Sequence, residues 1–235
     1  MRGGPGEPAP GGPRVEVLWI GHSCFMLRGE EVTLVTDPFA PSLGWGLPPL
    51  KAHIVTSSHP HPHHRWLQGC PGAKALLGPG EYEVKGIYVR GYATPLSAAA
   101  GNGGRNTVFV MEMEGLVVAH LGDLGAIPSN RLIEEIGGVH ILMVPVGGMC
   151  TITPKEAVET ARLVGARLTL PMHYALPGVA VPLHPLDPFL KEAGVTASTP
   201  QPRLVVSRST LPEDPQVVVL TPRANPADLR MASPP

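Results

Sequence analysis

Four short apolar runs open the readable part of the chain: VEVLWI (15–20), CFMLR (24–28), VTLVTD (32–37) and HIVTSS (53–58). They are too short for helices that bury a face. They are rich in β-branched residues, and Gly, Asp, Ser and Pro sit between them, so they read as strands. The pattern continues with EYEVKGIYVRGY (81–92), two strands around Gly86, and with NTVFVMEMEGLVVAHLGD (106–123), a hairpin turning at Glu114-Gly115. HILMVPVG (140–147) is a buried strand. Helices arrive late. SNRLIEEIG (129–137) starts on a Ser129 cap and stops at Gly137, and TPKEAVETARLVGA (153–166) carries Thr153, Pro154 and Glu156 in capping-box order. RLTLPMH (167–173) returns to strand, PLDPFLKEAG (185–194) reads as a helix, and RLVVS (203–207) and QVVVL (216–220) close the sheet. The result is one mixed domain, mostly β first and alternating β/α later.

Hydrophobic residues make up 43% of the chain against 16% charged, enough apolar surface for a sizeable core. The 28 Gly and 29 Pro residues punctuate short elements and crowd the ends, in MRGGPGEPAPGGPR and TPRANPADLRMASPP. Disordered tails are therefore expected over 1–14 and 222–235, flanking a domain over 15–221. A net charge of −1 with scattered basic residues points away from a nucleic-acid partner. No apolar run is long enough to span a membrane and no signal-type leader is visible, so a cytoplasmic protein is expected. Cys24, Cys70 and Cys150 form no C-x-x-C pair and read as small reduced core residues.

The stretch SSHPHPHHRW (57–66) concentrates four of the ten histidines directly after a strand. Side chains two apart on an extended chain share a side, so His59 and His61 can converge, and His64 joins them if HHRWLQG (63–69) turns at once. Convergent neutral imidazoles suit Zn²⁺ or another first-row metal. Two more strand ends offer donors: Asp123 in VVAHLGDLG (117–125) and His173 in RLTLPMHY (167–174). PFAPSLGWGLPPL (38–50), with Trp45, is a candidate pocket wall.

Together H59-P-H61-P-H63-H64, GD123 and PMH173, with GHSCF (21–25), TDPF (36–39), GPGEYEV (78–84), GRNT (104–107), HLGDLG (120–125) and PVGG (145–148), resemble the metallo-β-lactamase fold superfamily. The likeness is to its branch of small metal-dependent hydrolases that includes the ascorbate-6-phosphate lactonase relatives. The resemblance implies an α/β (α+β) fold, a four-layer αββα sandwich. It implies that His59, His61 and Asp123 serve one metal, that His64, Asp123 and His173 serve a second, and that Asp37, His22 and His120 stand beside the site and orient it. The implied cofactor is one or two Zn ions, with Mn, Fe or no metal as alternatives. Two departures stand out. The family motif H-x-H-x-D-H has His63 in place of its Asp, so His63 becomes a candidate ligand and, with Asp123 and His64, a candidate catalytic group. The segment GYATPLSAAAGNGG (91–104) lacks the histidine that the family carries there. Two functions follow: a hydrolase that turns metal-activated water on an ester, lactone, amide or phosphoester of a small molecule through a mononuclear or altered site, or a catalytically decayed member acting as a binding or interaction module.

Overall fold

The computed structural model of the chain describes residues 12–98 and 104–224. Of the expected tails, 1–11 and 225–235 lie outside those residues, as does 99–103 within the segment 91–104. Thirteen described strands form two sheets. The six-stranded sheet contains β1 (Val15–Gly21), β2 (Cys24–Arg28), β3 (Thr33–Thr36), β4 (Ile54–Thr56), β5 (Lys74–Leu76) and β12 (Leu204–Val206), in the order β12-β1-β2-β3-β4-β5. The seven-stranded sheet contains β6 (Gly80–Val84), β7 (Ile87–Pro95), β8 (Arg105–Met113), β9 (Leu116–His120), β10 (Ile141–Pro145), β11 (Leu168–Met172) and β13 (Gln216–Val217), in the order β13-β11-β10-β9-β8-β7-β6. Helices α1 (Asn130–Ile136), α2 (Pro154–Val164) and α3 (Asp187–Glu192) complete the sandwich, with α2 against β10 and α3. No helix among the described residues is long and apolar enough to cross a membrane.

Strand alternation explains why the opening runs are apolar throughout. On β1, Val15, Val17 and Trp19 enter the core between the sheets, while Leu18 and Ile20 enter a second core on the outer face. On β2, Phe25 and Leu27 point inward and Cys24 and Met26 outward; Leu34 and Val35 divide likewise on β3, and Ile54 and Val55 on β4. Each face of the six-stranded sheet is thus buried, so period 2 sorts two apolar sets rather than apolar from polar. The outer core is closed by the 38–50 segment, through Phe39, Leu43, Trp45, Leu47 and Leu50, and by 3-10 turns at 41–43 and 67–69. Trp45 is buried, and its indole N–H donates to the Pro177 carbonyl at 2.8 Å. It packs the loop rather than facing a pocket. At the other end, Arg223 and Ala224 donate backbone N–H groups to Trp19 and Ile20, so the packed chain runs past residue 221.

The mixed topology sets the site. Strands β3 and β4 run parallel, as do β9, β10 and β11. Their carboxyl ends carry Asp37, His59, Asp123 and His173 to one rim, where open α/β sheets gather ligand-binding side chains. The β1–β2 pairing is irregular between Trp19 and Gly21 and turns His22 onto the same rim.

A candidate metal centre at the strand ends

Asp37 is the anchor. It is fully buried at the end of β3 and accepts the Ser58 backbone N–H at 2.8 Å, the Ser58 hydroxyl at 2.5 Å and His64 Nδ1–H at 2.8 Å. The Ser58 hydroxyl has one proton and gives it to Asp37, so towards His59 Nδ1, 3.1 Å away, it can only accept. Both rings are thereby fixed as Nδ1–H tautomers with their Nε2 lone pairs turned inward. A carboxylate holding the far nitrogen of an imidazole is the usual support of a metal-binding histidine.

Those lone pairs face Asp123. Its carboxylate lies 3.7 Å from His59 Nε2, 3.4 Å from His64 Nε2 and 3.3 Å from His173 Nε2. Asp123 Oδ1 is buried without a hydrogen-bond partner, as are His173 Nδ1 and both ring nitrogens of His22. Burial pushes the Asp123 carboxyl well above the usual range, and the charge of Asp37 adds to it. Burial pulls the histidines the other way: His59 to about 4 and His173 to about 3, with His22 and His64 also held well below 6.5. Neutral imidazole lone pairs aimed at a carboxylate repel it unless a cation stands among them. Two donors each ~2.1 Å from a tetrahedral metal are themselves ~3.4 Å apart, the spacing found here.

Three overlapping groups bring their donor atoms within 4.8 Å of one another: His59, His61 and His64; His22, His64 and His173; and Asp123, Cys150 and His173. The donor set of nitrogen, carboxylate oxygen and sulfur fits Zn²⁺ or a similar first-row ion. The sequence candidates His59, His61, His64, Asp123 and His173 therefore converge. His63 does not join any of these groups; it is half-buried at the rim, its ring 4.7 Å from that of His61, and burial lowers its basicity. His120 donates from Nε2 to the Ser23 carbonyl at 2.8 Å and accepts the Gly122 N–H on Nδ1, so neither nitrogen is free for a ligand.

Two residues stand closer to the site than their sequence suggests. His22 lies inside it, its ring 4.2 Å from that of His173 and 5.0 Å from that of His64. Cys150 lies beside Asp123 and His173 and is partly exposed, unlike the buried Cys24 and Cys70. Burial and the nearby Asp123 charge push its thiol to about 11. The signal for Cys150 was present: PVGG follows a buried strand, as HLGD does, but its thiol comes a few residues past the strand end and matches no motif.

A cavity of about 420 Å³ opens over the cluster, walled by Leu96, Arg105, Val181 and Pro182 beside the histidines. The 38–50 segment contributes nothing to that wall; it is committed to the outer core. Leu96 stands in the stretch where the resembled family carries a histidine.

The family described as "Beta-lactamase superfamily domain" matches residues 16–173. A "UPF0173 metal-dependent hydrolase" of Methanoculleus marisnigri is 32% identical over 188 residues, covering 68% of this chain and 81% of that one. Among solved structures, a Thermotoga maritima protein assigned to the Zn-dependent hydrolases of the metallo-beta-lactamase superfamily has a TM-score of 0.70 at 37% identity, covering 88% of this chain and 98% of its own. A metallo hydrolase of Ignicoccus hospitalis, at 19% identity, TM-score 0.63 and coverage of 83% and 99%, shares the fold.

Proposed function

The chain belongs to the beta-lactamase superfamily domain family, and from that premise we propose that it is a metal-dependent hydrolase of small molecules with an altered ligand set. One observation carries the reading: a buried carboxylate, Asp123, faced at 3.3–3.7 Å by the Nε2 atoms of three histidines, none of which is basic enough to be charged. His59, His61, His64, Asp123 and His173 would hold the ion, with Asp37 fixing His59 and His64. A divalent ion bound there supplies Lewis acidity and lowers the pKa of water toward ~7.

The chain's own groups do the rest. Asp123, its Oδ1 unpartnered and 3.3 Å from His173, would hold the ion beside the attacking water and orient that water. His64, locked by Asp37, would present its Nε2 lone pair to the same ion as that carboxylate. His63, neutral and half-exposed at the rim, is placed to take the proton of the attacking water and pass it to the leaving group. Arg105 on the wall suits a substrate bearing a negative charge, as in a phosphoester or the product of lactone opening. This supports a place in the lactonase-like branch. The unit is the single domain over 15–221 with its contacts to Ala224, and we take it to work in the cytoplasm without a nucleic-acid partner.

The test is metal analysis of tag-free protein purified without chelators, followed by a screen of lactones and phosphoesters. The expected result is bound metal and hydrolysis, both lost in His64→Ala. Absence of metal even after adding Zn²⁺ refutes the reading. A second reading, a decayed member kept as a binding module, is favoured by Leu96 on the wall and by His63 outside the donor groups. It predicts that the natural chain is inert and that the pair Leu96→His and His63→Asp gains metal and hydrolysis together.

A further inference from the structure

The thiol of Cys150 is unassigned by anything above, and its placement is specific. The segment that carries it is fastened on both sides of the metal cradle. Gly147 lies so close to the His173 carbonyl that a Cβ there would come within 2.2 Å of that oxygen, so only glycine lets the chain pass. Two residues beyond Cys150, Ile152 donates its backbone N–H to the Leu124 carbonyl at 2.9 Å, tying the segment to the residue that follows Asp123. Between these points Gly148 and Met149 both take positive φ, 59° each, and Thr151 donates back to Gly148 at 3.1 Å. The turn delivers Sγ to within 4.8 Å of donor atoms of Asp123 and His173. The Asp123 oxygen nearest His173 is Oδ1, buried and without a hydrogen bond.

We propose that Cys150, Asp123 and His173 form a second metal position with a sulfur, oxygen and nitrogen donor set, adjacent to the one held by His59, His61 and His64, and that the sulfur makes it selective for thiophilic ions. The inference rests on the metal-centre reading above. It changes the ligand arithmetic: the second position, which has His63 where the family motif has Asp, gains a donor from the loop after β10. Thiolate is a soft ligand that favours Zn²⁺ and Co²⁺ over Mn²⁺ and Mg²⁺. When the metal–sulfur bond forms, the S–H proton leaves to solvent, and the thiolate replaces the charge that the family's missing Asp would bring.

Cobalt reads the proposal directly. The full chain, metal-stripped and with thiols reduced, is titrated with Co²⁺ under argon. Visible cobalt bands report binding, and a near-ultraviolet charge-transfer band reports a Co–S bond. The expected result is a sulfur band that grows with the second equivalent and is absent from Cys150→Ser. In parallel, Co²⁺ or Zn²⁺ slows alkylation of wild-type Cys150 by iodoacetamide about tenfold or more, since a coordinated sulfur has no free nucleophilic pair; mass spectrometry reads each site, with buried Cys24 and Cys70 as internal references. This arm needs no variant. Visible bands with no sulfur band, or a sulfur band that persists in Cys150→Ser, or unchanged alkylation of Cys150, overturns the inference and leaves the metal-centre reading standing. No cobalt spectrum at all overturns both. Metal competition adds a third readout: Cys150→Ser narrows the preference for Zn²⁺ over Mn²⁺ by about tenfold or more, and an unchanged ratio counts against sulfur ligation.

Discussion

Replacing Asp123 with Asn separates a metal cradle from an ordinary buried ion pair. The substitution keeps the shape and removes the charge. In the metal-free protein the carboxylate is buried, its Oδ1 has no hydrogen bond, and His59 and His64 turn Nε2 lone pairs to its Oδ2 at 3.7 and 3.4 Å. An Asn amide can donate to those lone pairs where the carboxylate cannot. Relief of an unsatisfied buried anion is worth ~2 kcal/mol or more, and a domain of this size gains ~2–4 °C in Tm per kcal/mol. Metal-free Asp123→Asn is therefore expected to melt ~4–8 °C higher than metal-free wild type. With metal the gap closes to within about 1 kcal/mol. Zn²⁺ at a hundred times its Kd stabilises wild type by ~2.7 kcal/mol. A loss of ~10–100-fold in affinity leaves the variant ~0.4–1.4 kcal/mol at the same concentration. Thermal melts of both proteins, chelated and Zn²⁺-loaded, give all four numbers. If Asp123→Asn lowers the metal-free Tm by several degrees, the carboxylate is held by imidazole N–H groups and the argument for a cation among them is wrong.

Other outcomes follow from the same geometry. His59 and His173 are held at about 4 and about 3 by burial, against 6.5 for the free side chain. Because the folded values are depressed, each ring's contribution is complete above pH 6.5 and falls from there towards pH 3–4, by up to ~1.4 kcal/mol per pH unit, and the buried rings together outweigh the single raised carboxyl of Asp123, which acts in the opposite sense; a Tm of the chelated protein that stays flat down to about pH 5 contradicts the buried neutral rings. Asp37→Asn cannot accept all three hydrogen bonds that fix Ser58 and His64, so Zn²⁺ affinity drops by ~10–100-fold in a competition titration; unchanged affinity removes Asp37 from its orienting role. Gly122→Ala puts a Cβ 2.3 Å from Asn106 Oδ1 and 2.4 Å from Ser58 Cβ at a φ of +56°. A destabilisation of ~3 kcal/mol is expected in denaturant melts, against ~1 kcal/mol for Gly115→Ala, whose Cβ meets nothing within 4 Å.

Much of this was legible because period 2 and turn residues are local signals. The Thr153 capping box and the Ser129 cap form as their spacing predicts, and the strands that bear His59, Asp123 and His173 lie where their apolar runs are. What escaped depends on residues distant in sequence. β5 is a short strand, KAL, whose place is set by pairing with β4 rather than by its own pattern. Trp45 in a Gly/Pro-rich loop reads equally as exposed or packed until the outer face of the six-stranded sheet is known to need cover. His22 and Cys150 reach the site through an irregular strand pairing and a glycine turn. Convergence of six chain segments on one rim is a property of sheet order, and no window of sequence contains it.

Backbone strain at that rim argues that convergence is selected rather than incidental. Among the described residues, six non-glycine positions have positive φ, and His22, Asp37 and His173 are three of them, at 53°, 38° and 53°. Each left-handed non-glycine residue costs of order 1 kcal/mol or more, so the surroundings must over-determine it. For Asp37 they visibly do, through the three hydrogen bonds it accepts. For His173 the backbone N–H is held by the His22 carbonyl at 3.1 Å, so these two strained residues brace one another. Their side chains are not repaid in the same way: three of the four ring nitrogens of His22 and His173 have no hydrogen bond, and the fourth, His173 Nε2, faces the Asp123 carboxylate. A fold that bends two buried histidines into an unfavourable conformation and leaves their nitrogens unpaired is under-satisfied as it stands. A cation accepting one lone pair from each ring supplies part of the missing term, so His22→Gly should relax the backbone and raise the metal-free Tm while weakening Zn²⁺ binding. A variant that loses stability with and without metal alike would make His22 a packing residue and would remove strain as evidence for the site.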